Sequence, residues 1–91
     1  MRFIWDTDKA LINEEKHRVT FQEAAEILSS DFTKVTTANK GERRFLGIGR
    51  TRGEYLTVVY TERGGTLRII SARHSSKKER VMYERDHSRI I

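Results

Sequence analysis

Apolar positions along the chain change their period twice, and each change marks a new kind of element. The opening Arg2-Phe3-Ile4-Trp5 is short and apolar, as a strand is, and Asp6 then supplies an N-cap for a helix from Thr7 to about Lys16. Its apolar positions are sparse (Ala10, Leu11, Ile12), so this helix packs only a narrow face. Lys16-His17-Arg18 closes it with cations that suit the negative end of a helix dipole. Thr20 and Glu23 then have the spacing of a capping box, and Phe21, Ala24, Ala25 and Leu28 recur at helical intervals up to about Ser29.

From Phe32 the period becomes that of extended chain. Phe32 to Thr37 is a weak strand, followed by a polar connection to Glu42. Arg44 to Arg50, Tyr55 to Glu62 and Leu67 to His74 are richer in β-branched and aromatic residues, and Arg52-Gly53 and Gly64-Gly65 separate them as turns. These three runs predict an antiparallel meander. A two-residue turn at Gly64-Gly65 sets Thr61 opposite Arg68 and Val59 opposite Ile70, with Glu62 sharing the other sheet face with Ile69, Ser71 and Arg73. Gly47 and Gly49 lie inside a strand with no helix after them, which suits close helix packing rather than phosphate binding. Ser76 and Glu79 form a second capping box and open a last helix, in which Val81 and Tyr83 pack and Lys77, Lys78, Arg80 and Arg85 stay solvated. The final few residues are expected to fray. The predicted order is β-α-α-β-β-β-β-α, an α+β architecture with two N-terminal helices and one C-terminal helix.

Composition narrows the function. With 91 residues the expectation is one domain, 1–91, with one modest core. There is no cysteine, hence no disulfide framework or thiolate metal site, and no apolar run of membrane-spanning length or secretory type, so a cytoplasmic protein without cofactor is expected. The charge is uneven. Residues 1–42 carry six cationic and eight acidic side chains and residues 43–91 twelve and five, that is −2 and +7 within the total of +5. A basic C-terminal half suits a polyanion such as RNA, or an acidic protein partner, and equally a merely soluble basic face.

Several ordered segments resemble the BrnT family of toxins from type II toxin–antitoxin systems. They are Phe3-Ile4-Trp5-Asp6, Asn13-Glu14-Glu15-Lys16-His17, Val19 to Ala25, Arg44 to Arg50, Val58 to Arg63, Arg68 to Arg73, Lys78-Glu79-Arg80 and Tyr83-Glu84. Together they cover nearly the whole chain. The resemblance implies a RelE-like fold, metal-independent RNA cleavage that inhibits translation, and neutralisation by a BrnA-like antitoxin with a ribbon-helix-helix part, through which operator DNA is met only indirectly. One position departs from the pattern. The family usually has glycine after the Lys-His pair, where this chain has Arg18, so a left-handed helix cap there is not assured.

RNA cleavage without a metal requires a group to take the proton of a ribose 2′-hydroxyl, cations for the crowded phosphorane, and an acid for the departing 5′-oxygen. On the family pattern His17 is the first acid/base candidate, with a helix-capping cation as its alternative. Glu62 can accept a proton or orient an arginine. Arg50 and Arg73 complete the catalytic candidates, because guanidinium matches phosphate oxygens and stays charged. Lys16, Arg63, Arg68, Lys77 and Arg80 are the RNA-binding candidates, although strand arginines also serve as antitoxin contacts. Lys77, Lys78 and Arg80 crowd the positive end of the last helix, which favours an anionic partner unless Glu79 and solvent compensate. Tyr60 is expected in the core, Tyr83 either in the core or stacked on a base, and Trp5 as an anchor for the first strand. His74 and His87 have no partner at metal-ligand spacing, and no metal site is expected. The reading left beside the nuclease is a non-catalytic RNA-binding or antitoxin-binding module that contributes to operon autoregulation.

Overall fold

A computed structural model describes residues 1–39 and 41–88. Its elements are β1 (Arg2–Ile4), α1 (Thr7–His17), α2 (Phe21–Leu28), β2 (Thr33–Asn39), β3 (Glu42–Thr51), β4 (Glu54–Arg63), β5 (Thr66–His74) and α3 (Lys77–His87). This is the predicted order and an α+β fold. The five strands form one sheet in the order β1-β5-β4-β3-β2, antiparallel except that β1 runs parallel to β5. α1 and α2 therefore carry the chain from one sheet edge to the other. The weak strand signal after Phe32 understated β2, which pairs with β3 from Thr33 to Asn39 and shortens the connection expected there. The expected fraying of the last residues falls outside the described part of the chain.

The caps form as their residue types dictate. Asp6 accepts from the backbone N–H groups of Asp8 and Lys9, and both capping boxes, Thr20 with Glu23 and Ser76 with Glu79, are reciprocal. Arg18 adopts the left-handed conformation (φ 59°, ψ 32°) and donates its N–H to the Glu14 carbonyl at 2.8 Å. The glycine-type cap thus forms without glycine, at the steric cost that a Cβ brings to this region.

One sheet face, here called inner, carries the core. Phe21, Ala24, Ile27 and Leu28 of α2 are buried with Leu56, Val58, Tyr60, Leu67, Ile69 and Ala72. A Cβ on Gly47 would lie 2.8 Å from Leu28 Cδ2, and one on Gly49 3.0 Å from Ile27 Cγ2, so the absent side chains are what let α2 approach. Trp5 meets Phe21 edge-on at 6.0 Å, as an anchor would. Tyr60 is in the core, between Phe32 and Phe45. Its buried hydroxyl has no hydrogen-bond partner among the described residues, and burial, assisted by the charge of Glu62, pushes its pKa up to about 12.

The hairpin register is half as predicted. Gly64 and Gly65 both have positive φ, and Thr61 pairs with Arg68. Beyond that a bulge intervenes: Tyr60 pairs with Ile69 but Val59 with Ser71, so Ile70 is an extra residue and does not face Val59. The insertion reverses every later side chain of β5. Ser71 and Arg73 consequently lie on the opposite face from Glu62 and Ile69, correcting the grouping drawn from strict alternation.

Two polar devices complete the frame. β1 pairs with β5 only through Thr66, Leu67 and Arg68, and farther along that edge the side chain of Asn13 takes over the role of a strand. It donates to the carbonyls of Ala72 (2.9 Å) and Val19 (3.0 Å) and accepts from the Ala72 N–H (3.1 Å), fastening α1 along the edge. α3 lies on the outer face and has no buried residue. Val81, expected to pack, is 46% exposed, and polar contacts hold the helix in place. Glu79 reaches Thr57 and Arg73, Asp86 accepts from Thr33, and His87 meets the Asp31 carbonyl.

Candidate nucleic-acid interface

Strand pairing gathers Arg2, Arg44, Arg50, Arg63, Arg68 and Arg73 on the outer face. α3 crosses that face over the row Thr33, Ile48, Thr57 and Arg73 and divides it in two. On one side the two-residue Arg52-Gly53 turn sets Arg50 opposite Tyr55. The Arg50 guanidinium stands 4.7 Å from the centre of the Tyr55 ring, and that of Arg80 at 6.0 Å. Tyr83 packs edge-on against the same ring, and the Tyr55 hydroxyl donates to Glu84 at 2.5 Å. That hydrogen bond, above all, holds the phenol above its ordinary pKa. Lys77, Arg80 and Arg85 border an open cleft of about 630 Å³ beside Tyr55. A planar ring ringed by cations can take a base and its phosphate together.

Arg73 closes the arrangement from β5. Its two terminal nitrogens bond the two carboxylate oxygens of Glu79 at 2.7 and 2.8 Å, and Glu79 also accepts from Thr57 and from the Ser76 N–H. These bonds, the Arg73 pair foremost, bring the Glu79 pKa down to about 2. A carboxylate this acidic is a poor base and a good fixed anchor.

The nine residues nominated from the sequence are not all neighbours. Arg50, Arg73, Lys77 and Arg80 come together around Tyr55 and the N-terminus of α3. Arg63 and Arg68 share the outer face but lie beyond α3, lining a smaller furrow of about 230 Å³ with Ile4, Glu42, Thr61 and Thr66. Glu62 is on the inner face, bonded to Lys34 at 2.9 Å, and Lys34 in turn sits 4.2 Å over the Phe45 ring. Lys16 is exposed at the end of α1, and His17, half-buried, stands one turn beyond Asn13 at the β5 edge.

Tyr55, Glu79 and Glu84 are the members that sequence reading passed over. Tyr55 was legible in principle, because a two-residue turn at Arg52-Gly53 obliges residues 50 and 55 to face each other. The sequence marks Glu79 as a cap and as a charge that compensates the cations of its own helix. Its second bond, to Arg73, depends on the bulge that turned Arg73 outward.

No described helix is long and apolar enough to cross a membrane. Residues 5–79 match the family described as ribonuclease toxin, BrnT, of type II toxin–antitoxin system. The match takes in Arg50, Tyr55, Arg73, Lys77 and Glu79 and ends before Arg80. Among curated proteins none matches the chain.

Proposed function

Because this chain belongs to the BrnT ribonuclease toxins of type II toxin–antitoxin systems, we propose that it cleaves RNA without a metal, in the cytoplasm, and so inhibits translation. Family membership implies an antitoxin partner. The finer reading is a RelE-like single domain, 1–91, neutralised by a BrnA-like ribbon-helix-helix antitoxin that carries any contact with operator DNA. The observation that carries the RNA site is the convergence of Arg50, Arg80 and Lys77 on Tyr55. In this reading a base stacks on the exposed side of the Tyr55 system, and the adjoining phosphate lies among the guanidinium groups. Attack of the 2′-oxygen on phosphorus, with release of the 5′-oxygen, builds negative charge on the phosphorane oxygens, and Arg50 and Arg73 offset that charge. His17 remains the candidate for proton transfer, and Lys16 for a flanking phosphate.

The test is an RNA cleavage assay of the purified chain in EDTA, with a growth-arrest assay on its expression beside it. Wild type is expected to cleave, and a variant lacking the His17, Arg50 and Arg73 side chains to be inactive. Folded wild-type protein that neither degrades RNA nor arrests growth would sink the proposal. The separation of Glu62 from the arginine cluster favours one second reading, a non-catalytic RNA-binding module. Under that reading His17→Ala/Glu62→Gln leaves toxicity and RNA binding intact while Arg50→Ala weakens both.

A further inference from the structure

On the far side of α3 the outer face changes character. The row next to the helix is Val35 on β2, Leu46 on β3 and Val59 on β4, all half-buried and so left partly open to solvent. The next row carries Arg44 and Arg68, and Arg63 stands beyond it. The acidic group beside them is Glu42, which Arg44 pairs at 3.3 Å. An aliphatic floor offers no aromatic plane for a base, so its chemistry is that of a protein contact. The arginine border requires that protein to be acidic along one flank.

The dimensions define the element. Val35 to Val59 spans two inter-strand spacings, about 10 Å, which is the length over which a helix presents three apolar side chains of one stripe. Helices pack with axes about 8–10 Å apart, whereas successive rows on one face are about 7 Å apart. A helix laid beside α3 therefore rests between the aliphatic row and the arginine row. α3 already crosses the strands in this way. We propose that this strip of the outer face, which meets the smaller furrow at Arg68, is the docking surface for an amphipathic antitoxin helix, apolar toward Val35, Leu46 and Val59 and acidic toward Arg44 and Arg68. Neutralisation then works from beside the RNA site, by a helix lying parallel to α3. The inference rests on the toxin reading for the existence of the antitoxin but not on the placement of catalysis.

The experiment titrates the full-length chain with its purified cognate antitoxin and measures RNA cleavage in parallel. Leu46→Glu and the charge-reversing variant Arg44→Glu, at a half-buried position, are each compared with wild type, after circular dichroism and urea unfolding establish that both fold. The expectation is at least a 100-fold loss of antitoxin affinity for Leu46→Glu and at least 10-fold for Arg44→Glu, with RNA cleavage within threefold of wild type. Should Leu46→Glu fail to fold, Arg44→Glu decides alone. Unchanged antitoxin affinity in the folded variants overturns the proposal, as does loss of cleavage with antitoxin binding retained, which makes the strip an RNA surface. Failure of the wild-type chain to cleave RNA overturns the nuclease reading and leaves the binding result to stand on its own.

Discussion

The two halves of the outer sheet face share strands, sign of charge and residue type, yet α3 makes them chemically different. On the Tyr55 side, cations surround an aromatic ring, and Arg50, Lys77 and Arg80 have no acidic partner among the described residues. On the Val59 side, arginines border half-buried aliphatic side chains, where stacking has no partner and burial of apolar surface is the available gain. The difference teaches that a count of arginines on a basic face says little about what binds there. The side chains between them decide. Charge alone left RNA, an acidic protein partner and a merely soluble face equally open, whereas the packing of one helix separates a site suited to RNA from a surface suited to protein.

The comparison breaks most visibly on the Tyr55 side. Removal of both guanidinium groups in Arg50→Ala/Arg80→Ala is expected to lower RNA cleavage at least 100-fold, since a charge-assisted contact is worth about 1.5–3 kcal/mol. Antitoxin affinity should move less than threefold. Equal losses of both functions would show that the halves act as a single surface.

Next in size is the divider itself. Glu79→Gln removes the charge that Arg73, Thr57 and the Ser76 N–H all share, leaving Arg73 half-buried without its partner. Urea unfolding is expected to show a loss of about 2 kcal/mol. Cleavage should fall as well, because Arg73 loses its fixed orientation. If stability is unchanged, α3 is held by other means and the division of the face is looser than drawn.

The two ends of α3 respond to pH in opposite directions. The Glu79 pKa is depressed, so its stabilisation is complete above the ordinary carboxylate value and is lost as pH falls toward about 2. At the other end His87 has one ring nitrogen on the Tyr83 carbonyl and the other on the Asp31 carbonyl. Burial works against its charge, but the two carbonyls and the Asp31 and Asp86 carboxylates outweigh that and raise its pKa. Its contribution is therefore complete below the ordinary histidine value and is lost as pH rises through the raised one. Amide protection in α3, taken relative to the intrinsic exchange rate at each pH, should be greatest between about pH 5 and 6, falling from the Glu79 end in acid and from the His87 end above neutrality. His87→Gln should flatten only the alkaline limb.

How much of this was legible beforehand follows from the range of the interactions involved. Asp6, Thr20 and Ser76 announce their helices because a cap is settled within four residues. Gly64-Gly65 announces its hairpin for the same reason. Ile70 does not announce its bulge, since an extra residue in a strand is chosen by packing on both faces at once, and Glu62 and Arg73 were misgrouped on that account. Tyr55 meets Arg50 across its own turn, which sequence can show, but meets Arg80 only across 25 residues, on α3, and Glu79 meets Arg73 only because the bulge turned that residue of β5 outward. Asn13, one polar residue in a sparse helix, carries an edge-strand role that only the short reach of β1 explains.

The smallest effect concerns the end of α1, which lies outside both halves and so serves as their common reference. Arg18 is the residue that departs from the family's usual glycine, and it holds a left-handed conformation that glycine adopts without a Cβ clash. Arg18→Gly relieves roughly 1 kcal/mol of steric cost, partly offset by the greater freedom of glycine in the unfolded chain. The net expectation is a stabilisation of about 0.5 kcal/mol, seen as a rise of about 2–4 °C in thermal midpoint. The Glu14 carbonyl keeps its bond from the residue-18 N–H in either variant, so the His17 backbone should not move. RNA cleavage per folded molecule and antitoxin affinity should then both match wild type. A change in cleavage alone, with antitoxin binding constant, would instead mean that the Arg18 side chain itself contacts RNA, extending the nucleic-acid surface past the β5 edge and across α1.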